Sequence, residues 1–523
     1  MSYGPNRRHV RETKVMEMAV LEPDATALQL DNAMRKTSRF SLKHSERKFL
    51  VAMLCLMLIV RILAMFWYPF VDTTEARYAE IARKMLETGD WITPQFDYGV
   101  PFWGKPPLHT WMSALGMKIF GVSHFGARFF FLISSIGLLS LCYIWVRKVR
   151  CSDQALLAIA VIASAGLFFG ASAFVVTDMA MVLGTTMSMA GFFACVADKS
   201  SHRVWGYLFF VGIAVGLLAK GPVAVVLTGI PIFLWIVVGN RWRQLFRLPW
   251  ITGLLVTALI TLPWYLIAEA KTPGFLSYFI IGEHYKRFLE TGWQGDLYGS
   301  AHAHPKGMIW VYGFIACLPW ILFAPALAFR RKQVLGVFQK DQTGWHSYLL
   351  VWSLSPLILF TPAANILPAY VLPGIPAFAI LLVSVWCKLF DQPSWITRLS
   401  IQISMFCVPL IVLALTILAF FFPNTLNVRS ERDLVLKAFE ASPDIQITYW
   451  GDRSYSAEFY TQGRVHYVTD IADLKALNTN NVRDAVAVYN HDIPLIKDQL
   501  EAGFVDLGRF NRRHLFIERP AQK

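Results

Sequence analysis

Long apolar runs separated by short polar breaks constrain this chain more than any other feature. They recur at about 49–68, 125–146, 154–170, 175–197, 204–219, 223–239, 250–268, 308–328, 347–361, 366–387 and 399–422. In a bilayer each run must satisfy its own backbone hydrogen bonds, so each is expected to be a helix. The 523-residue chain is 55% hydrophobic and only 16% charged, which fits a polytopic membrane protein rather than a soluble domain. A formal charge of +14 raises nucleic acid as a partner. The Lys and Arg instead cluster in short breaks between apolar runs, as in cytoplasmic loops, and a nucleic-acid partner is excluded on that ground. The seven cysteines lie in or beside apolar runs, so no disulfide framework is expected.

The basic clusters also orient the chain. From a cytoplasmic N-terminus, the inside loops hold Arg147/Lys148/Arg150, Lys199/Arg203, Arg241/Arg243/Arg247, Arg330/Arg331/Lys332 and Lys388/Arg398. The outside then receives loop 69–124, loop 269–307 and everything after about Pro423. Three parts are expected. Residues 1–48 form a mostly disordered cytoplasmic tail without a cleavable signal pattern. Residues 49–422 form the membrane domain. Residues 423–523 alternate strand-like and helical stretches, as in a small periplasmic α/β domain. No internal repeat is apparent, which argues against an inverted-repeat transporter.

The first outside loop holds the densest chemistry. Thr73–Thr88 has helical spacing, stops at Gly89-Asp90, and is expected to lie along the membrane surface. Leu108–Phe120 is too short to span and is expected to be interfacial or re-entrant. Asp72 and Glu75 stand three apart, as in a capping box; the functional alternative is a general base for an acceptor hydroxyl or amine. Asp178 either caps the following helix or orients a ligand. Arg61 sits inside the first apolar run, where an arginine either pairs within the bundle or marks function. Lys105, held by two prolines, is a natural phosphate partner, and Arg77 and Arg287 are further candidates; Lys220 fits snorkelling equally well. His284, His302 and His304, with Glu283, offer donors for a divalent cation, although histidines spaced this loosely fit an interfacial placement better. Cations and carboxylates gathered at a membrane face match a lipid-linked sugar whose phosphate serves as leaving group.

The segment D-T-T-E-A-R-Y-A-E-I-A-R-x-M-L-E-T-G-D-W, followed by G-K-P-P-L, resembles the bacterial lipid A aminoarabinose transferases. These belong to the protein-mannosyltransferase superfamily of membrane glycosyltransferases. The resemblance extends through V-T-D-M (176–179), A-K-G (219–221), P-W-Y (263–265), E-H-x-x-R-F (283–288), L-P-W (318–320) and L-P-A-Y-x-L-P (367–373). It implies an all-α membrane bundle of the GT-C type, with about eleven to thirteen transmembrane helices and a small C-terminal α/β domain. It implies a polyprenyl-phosphate sugar donor, no nucleotide cofactor, and inverting transfer at the periplasmic face of the inner membrane. The acceptor would be lipid A, another envelope lipid or glycan, or a protein. Asp72, Glu75 and Asp178 are the implied acids; Arg77, Lys105, Lys220, Arg287 and Tyr370 match the donor-phosphate pocket. The sequence departs from the family at three places. The residue before Glu75, often Asp, is Thr74; the one before Lys105, usually a metal-binding Glu, is Gly104; and a Lys of the family is Ile366. A lipid-linked-sugar flippase and a non-catalytic sugar-binding relative are the alternative readings.

Overall fold

The computed structural model describes residues 40–197, 202–299, 302–390, 395–422, 426–477, 482–500 and 503–519. Most of the expected disordered tail and Lys199 lie outside the described residues. All eleven apolar runs are helical. Among the described residues, seven helices are long and apolar enough to cross a membrane, or eight if one bent pair is a single span. The difference from the expected count has local causes. The run beginning at Ser152 breaks at Ala165, whose backbone is extended. Val223–Gly239 and Trp345–Phe360 are short for a span. Met308–Ala316 and Trp320–Phe329 meet at 91° around Pro319, whose missing N–H and ring interrupt the helix.

The bundle has two chemically different ends. At one, Arg150 lies over the Trp345 ring, Arg241 over Trp235, and the Trp235 indole donates to the Gly344 carbonyl at 2.8 Å. At the other, both long outside loops and the C-terminal domain come together. The Asn365 amide donates to the Arg287 and Glu290 carbonyls at 2.6 and 2.7 Å, tying loop 269–307 to the turn at 361–369.

One helix pair sets the position of the site. Thr177–Ala197 packs along His202–Lys220 through glycines. A Cβ on Gly184 would lie 2.7 Å from the Gly212 carbonyl oxygen, and one on Gly191 2.7 Å from the Trp205 carbonyl oxygen. Small residues permit this backbone approach, a recurrent device in membrane helix packing. The pair therefore brings Asp178, at the start of one helix, beside Lys220, at the end of the other.

The C-terminal region is an α/β unit. Numbering the first-loop hairpin Gln95–Asp97 and Val100–Pro101 as β1 and β2, the later strands are β3 Gln446–Trp450, β4 Val465–Val468, β5 Asp484–Tyr489, β6 Phe504–Phe510 and β7 Arg513–Glu518. The sheet order is β4-β3-β5-β7-β6; β3 is parallel to β4 and β5, and β7 is antiparallel to β5 and β6. Apolar clusters cover both faces, one around Ile447, Tyr449 and Leu515, the other around Val486, Val488 and Phe516. Edge strand β6 was not expected from its sequence. Asp506, Gly508 and Arg509 interrupt the alternation, and a bulge lies between Asp506 and Arg509.

The first-loop helix, Thr74–Thr88, is not a surface helix. Every residue from Glu75 to Met85 except Arg77 is buried. It is wedged between Leu108–Phe120 and the C-terminal helix Tyr455–Tyr460. Its charges are satisfied inside the protein: Arg83 bonds Glu80 at 2.7 Å, and Lys84 bonds Glu458 at 3.1 Å. Gly89 ends it with a positive φ of 70° and donates to the Met85 carbonyl.

Candidate active site

Where these elements meet, a cavity of about 200 Å³ opens. Arg77, Lys105, Asp178, Lys220, Arg287 and Tyr370 all line it, together with Glu283 and His302. The donor-pocket residues implied by the family resemblance are thus gathered, although they span nearly three hundred positions of sequence.

Each charge has a defined partner. Lys220 Nζ lies 2.5 Å from Asp178 Oδ1 and 4.3 Å from the Tyr370 ring centroid. This supplies the cation that no neighbour in sequence provides for Asp178. The chain segment Tyr278–Lys286 is wound as a π-helix, a form often found at functional sites, and it carries Glu283 into the cavity wall. Lys105 Nζ lies 2.7 Å from Glu283, and Arg287 lies 3.2 Å from Glu283 and 3.0 Å from Asp296. Burial alone would raise the Glu283 carboxyl, but the Lys105 and Arg287 charges outweigh it and hold the group below its ordinary value. Arg77 donates to the Tyr298 carbonyl, and its Nε is buried without a hydrogen-bond partner. Four cations thus face three carboxylates, a balance that favours an incoming phosphate.

Asp72 and Glu75 do not line the cavity. Asp72 accepts from Ser454 Oγ at 2.8 Å, Ser456 Oγ at 2.6 Å and the Ser456 backbone N–H at 3.0 Å, all from the C-terminal domain. Burial, stronger than these bonds, raises its carboxyl above the ordinary value. Glu75 is held by the Arg128 guanidinium at 2.8 and 2.7 Å and accepts from the Val175 N–H at 3.2 Å. Neither forms the capping box, because the helix N-cap is Thr73 and has no side-chain cap bond. Thr73 and Thr74 face the cavity instead. Arg61 also lies elsewhere, donating to the Gly170 carbonyl at 3.0 Å and sitting over Phe169.

The metal donors do not converge. Glu283 is occupied by two cations. The two nitrogens of His284 face the Phe279 and Lys220 carbonyls at 2.8 and 3.1 Å, and burial lowers its pKa. His304 meets Tyr312 OH at 3.2 Å. Among the described residues no three His, Cys, Asp or Glu are placed to hold a metal ion. The departure at Gly104 has a steric counterpart: a Cβ there would lie 3.0 Å from the Phe102 ring and 3.3 Å from Tyr298. Ile366 is apolar and fully buried, so that position adds no cation.

Several site residues carried no local signal. Tyr298 reaches the cavity because its hydroxyl donates to the Pro101 carbonyl at 2.8 Å, while the Trp103 N–H donates to that hydroxyl at 3.0 Å. Tyr455 arrives from the C-terminal domain and lies 6.0 Å from the Arg77 guanidinium. The aromatic character of the first loop and of segment 293–298 was the only hint available.

Residues 48–279 match the family profile described as dolichyl-phosphate-mannose-protein mannosyltransferase. An undecaprenyl phosphate-alpha-4-amino-4-deoxy-L-arabinose arabinosyl transferase of Edwardsiella ictaluri is 31% identical over 323 residues, 60% of this chain and 54% of that protein. The similarly named transferase 1 of Pseudomonas fluorescens is 29% identical over 63% of this chain and 55% of its own length. The matched stretch thus spans about half the length of these relatives. ArnT from Cupriavidus metallidurans, solved bound to undecaprenyl phosphate, superposes with a TM-score of 0.72 at 18% identity, covering 91% of this chain and 98% of that one. The resemblance seen in the sequence is therefore found again in sequence matches, and the expected helical bundle with its small C-terminal domain is found in the fold.

Proposed function

We propose that this multi-pass membrane protein of ArnT-like fold transfers a sugar from a polyprenyl phosphate to an envelope lipid or glycan, with inversion at the anomeric carbon. The observation that carries the proposal is the convergence of Arg77, Lys105, Lys220 and Arg287 on one cavity at the loop end of the bundle. The donor phosphate sits among these cations, and Lys105 and Arg287 turn from Glu283 toward it. The acceptor hydroxyl attacks the anomeric carbon, the bond from that carbon to the phosphate oxygen breaks, and the electron pair leaves with the phosphate. Cations gathered around the phosphate stabilise that growing charge, usually the largest contribution in such chemistry. Asp178 takes the hydroxyl proton, because it lines the cavity whereas Asp72 and Glu75 do not. The protein lies in the bacterial inner membrane, with Arg150 and Arg241 at the cytoplasmic end and the cavity and C-terminal domain at the periplasmic end.

One observation favours a second reading, a relative that binds the lipid-linked sugar without transferring it. The position before Glu75, often Asp in the family, is Thr74, and it faces the cavity. Mass spectrometry of lipid A, surface glycans and undecaprenyl-phosphate sugars in wild-type and deletion cells separates the two. Transfer predicts a donor that accumulates beside an acceptor that lacks one sugar. An unchanged acceptor pool in cells that express the protein contradicts it.

A further inference from the structure

Beside the donor cavity lies a second, more open cleft of about 450 Å³, formed by Phe96, Asp97, Trp103, Leu297, Tyr298 and Arg453. We propose that this cleft binds the saccharide part of the acceptor; the inference rests on the transferase reading above and supplies its acceptor side.

Three observations carry it. The first is continuity: Tyr298 lines both the cleft and the donor cavity. Phe96 lies 5.1 Å from the Tyr298 ring and 5.9 Å from Tyr455, which faces the donor cavity. A ring held in the cleft is thus one aromatic layer from the donor cavity.

The second is the character of the walls. Sugar rings present an apolar C–H face and a rim of hydroxyls, and they suit aromatic faces flanked by a few fixed polar groups. Trp103 is held in place by its indole N–H, which donates to Thr272 Oγ1 at 3.1 Å, and by the bond from its backbone N–H to Tyr298. Asp97 and Arg453 stand at the rim 3.3 Å apart, and the Asp97 side chain remains 48% exposed. Its carboxylate keeps acceptor capacity beyond Lys84 and Arg453, as a hydroxyl-binding group requires. A hydrocarbon chain gains nothing from such a rim.

The third is rigidity. Arg453 comes from the C-terminal domain, stacks over Phe96 at 4.9 Å and Tyr455 at 5.2 Å, and is held by Glu458. Glu458 is itself bound by Lys84 of the first-loop helix. The Arg453 wall of the cleft is therefore set by the fastening of the C-terminal domain to the first loop, which gives that domain a role in choosing the acceptor.

The test uses the full-length protein in lipid nanodiscs and deacylated lipopolysaccharide oligosaccharide as the probe. Val100 and Leu297 line the cleft and are about half exposed, so Val100→Trp and Leu297→Trp fill it from the solvent side without cutting a buried contact. Saturation-transfer NMR on the wild type should mark ring protons of the probe, and either substitution should cut that signal about fivefold. In a transfer assay the acceptor KM should rise about tenfold while the donor KM moves less than about twofold. Asp97→Asn, which keeps the shape of the side chain, should raise the acceptor KM in the same direction. Absence of signal from the wild type, or unchanged signal and acceptor KM in both tryptophan variants, overturns the proposal. The two readings fail separately. Saccharide binding that the variants remove, without any transfer product, keeps the cleft and sinks the transferase. Transfer with wild-type acceptor KM in the variants keeps the transferase and sinks the cleft.

Discussion

Two pairs of carboxylates divide this protein's chemistry. Asp72 and Glu75 open the first-loop helix; Asp178 and Glu283 face the cavity. In sequence the first pair looks the more catalytic, since it stands in the most distinctive motif. The structure gives it to assembly: Asp72 joins the loop to Ser454 and Ser456 of the C-terminal domain, and Glu75 joins it to Arg128. The second pair has long-range cations as partners and a cavity in front. A carboxylate enclosed by fixed donors is expected to hold structure, whereas one that shares a Lys at an open wall is expected to exchange partners with a substrate.

Removing a partner on each side tests this division. Arg128→Ala leaves Glu75 buried and unpaired, a change expected to cost about 3–5 kcal/mol. Thermal unfolding in detergent should show it as a large drop in melting temperature; a small drop would mean that Glu75 is not locked. On the cavity side, Lys105→Ala should lower kcat/KM by about 10²–10³ while melting stays close to wild type, because Glu283 keeps Arg287 as a partner. Equal losses of stability and activity would erase the distinction.

Asp72→Asn gives a smaller effect. It keeps the shape and weakens bonds to two serines, so about 1–2 kcal/mol of stability is expected to go, with transfer retained within about tenfold. Loss of transfer in a stable Asp72→Asn protein would return this residue to the chemistry.

A separate effect is a pH dependence inside the C-terminal domain. Glu431 accepts from Tyr449 at 3.2 Å and pairs with Arg513 at 3.4 Å. Burial, stronger than the Arg513 charge, pushes its carboxyl from 4.5 up to about 7. The folded state then binds the proton more tightly than the unfolded chain. Its contribution is full below pH 4.5 and is lost as the pH rises through about 7. Melting curves between pH 5 and 8 should slope downward, and Glu431→Gln should flatten them.

The fold was legible wherever one physical requirement dominated. Apolar runs had to be helices, and the periodicity of 445–450, 465–468, 485–489 and 515–517 marked four strands of the C-terminal sheet. Span lengths were less legible, because the breaks at Ala165 and Pro319 lie inside apolar sequence. The site was legible in its cations, whose motifs the family resemblance carried. It was obscure in its carboxylates, because which acid is locked depends on Arg128, Ser454 and Ser456, far away in the chain. The first-loop helix shows the same limit. Its mixed charges look like a surface face until Glu458 and the rest of the C-terminal domain cover them.

Binding of sugar-free undecaprenyl phosphate to the nanodisc-embedded protein tests the central claim most directly, since it requires the cation cluster and no acceptor. The account predicts saturable binding that weakens about tenfold in Lys105→Ala and in Arg287→Ala but is retained in Asp72→Asn. Equal affinity in all four proteins would mean that the cavity is not the phosphate site.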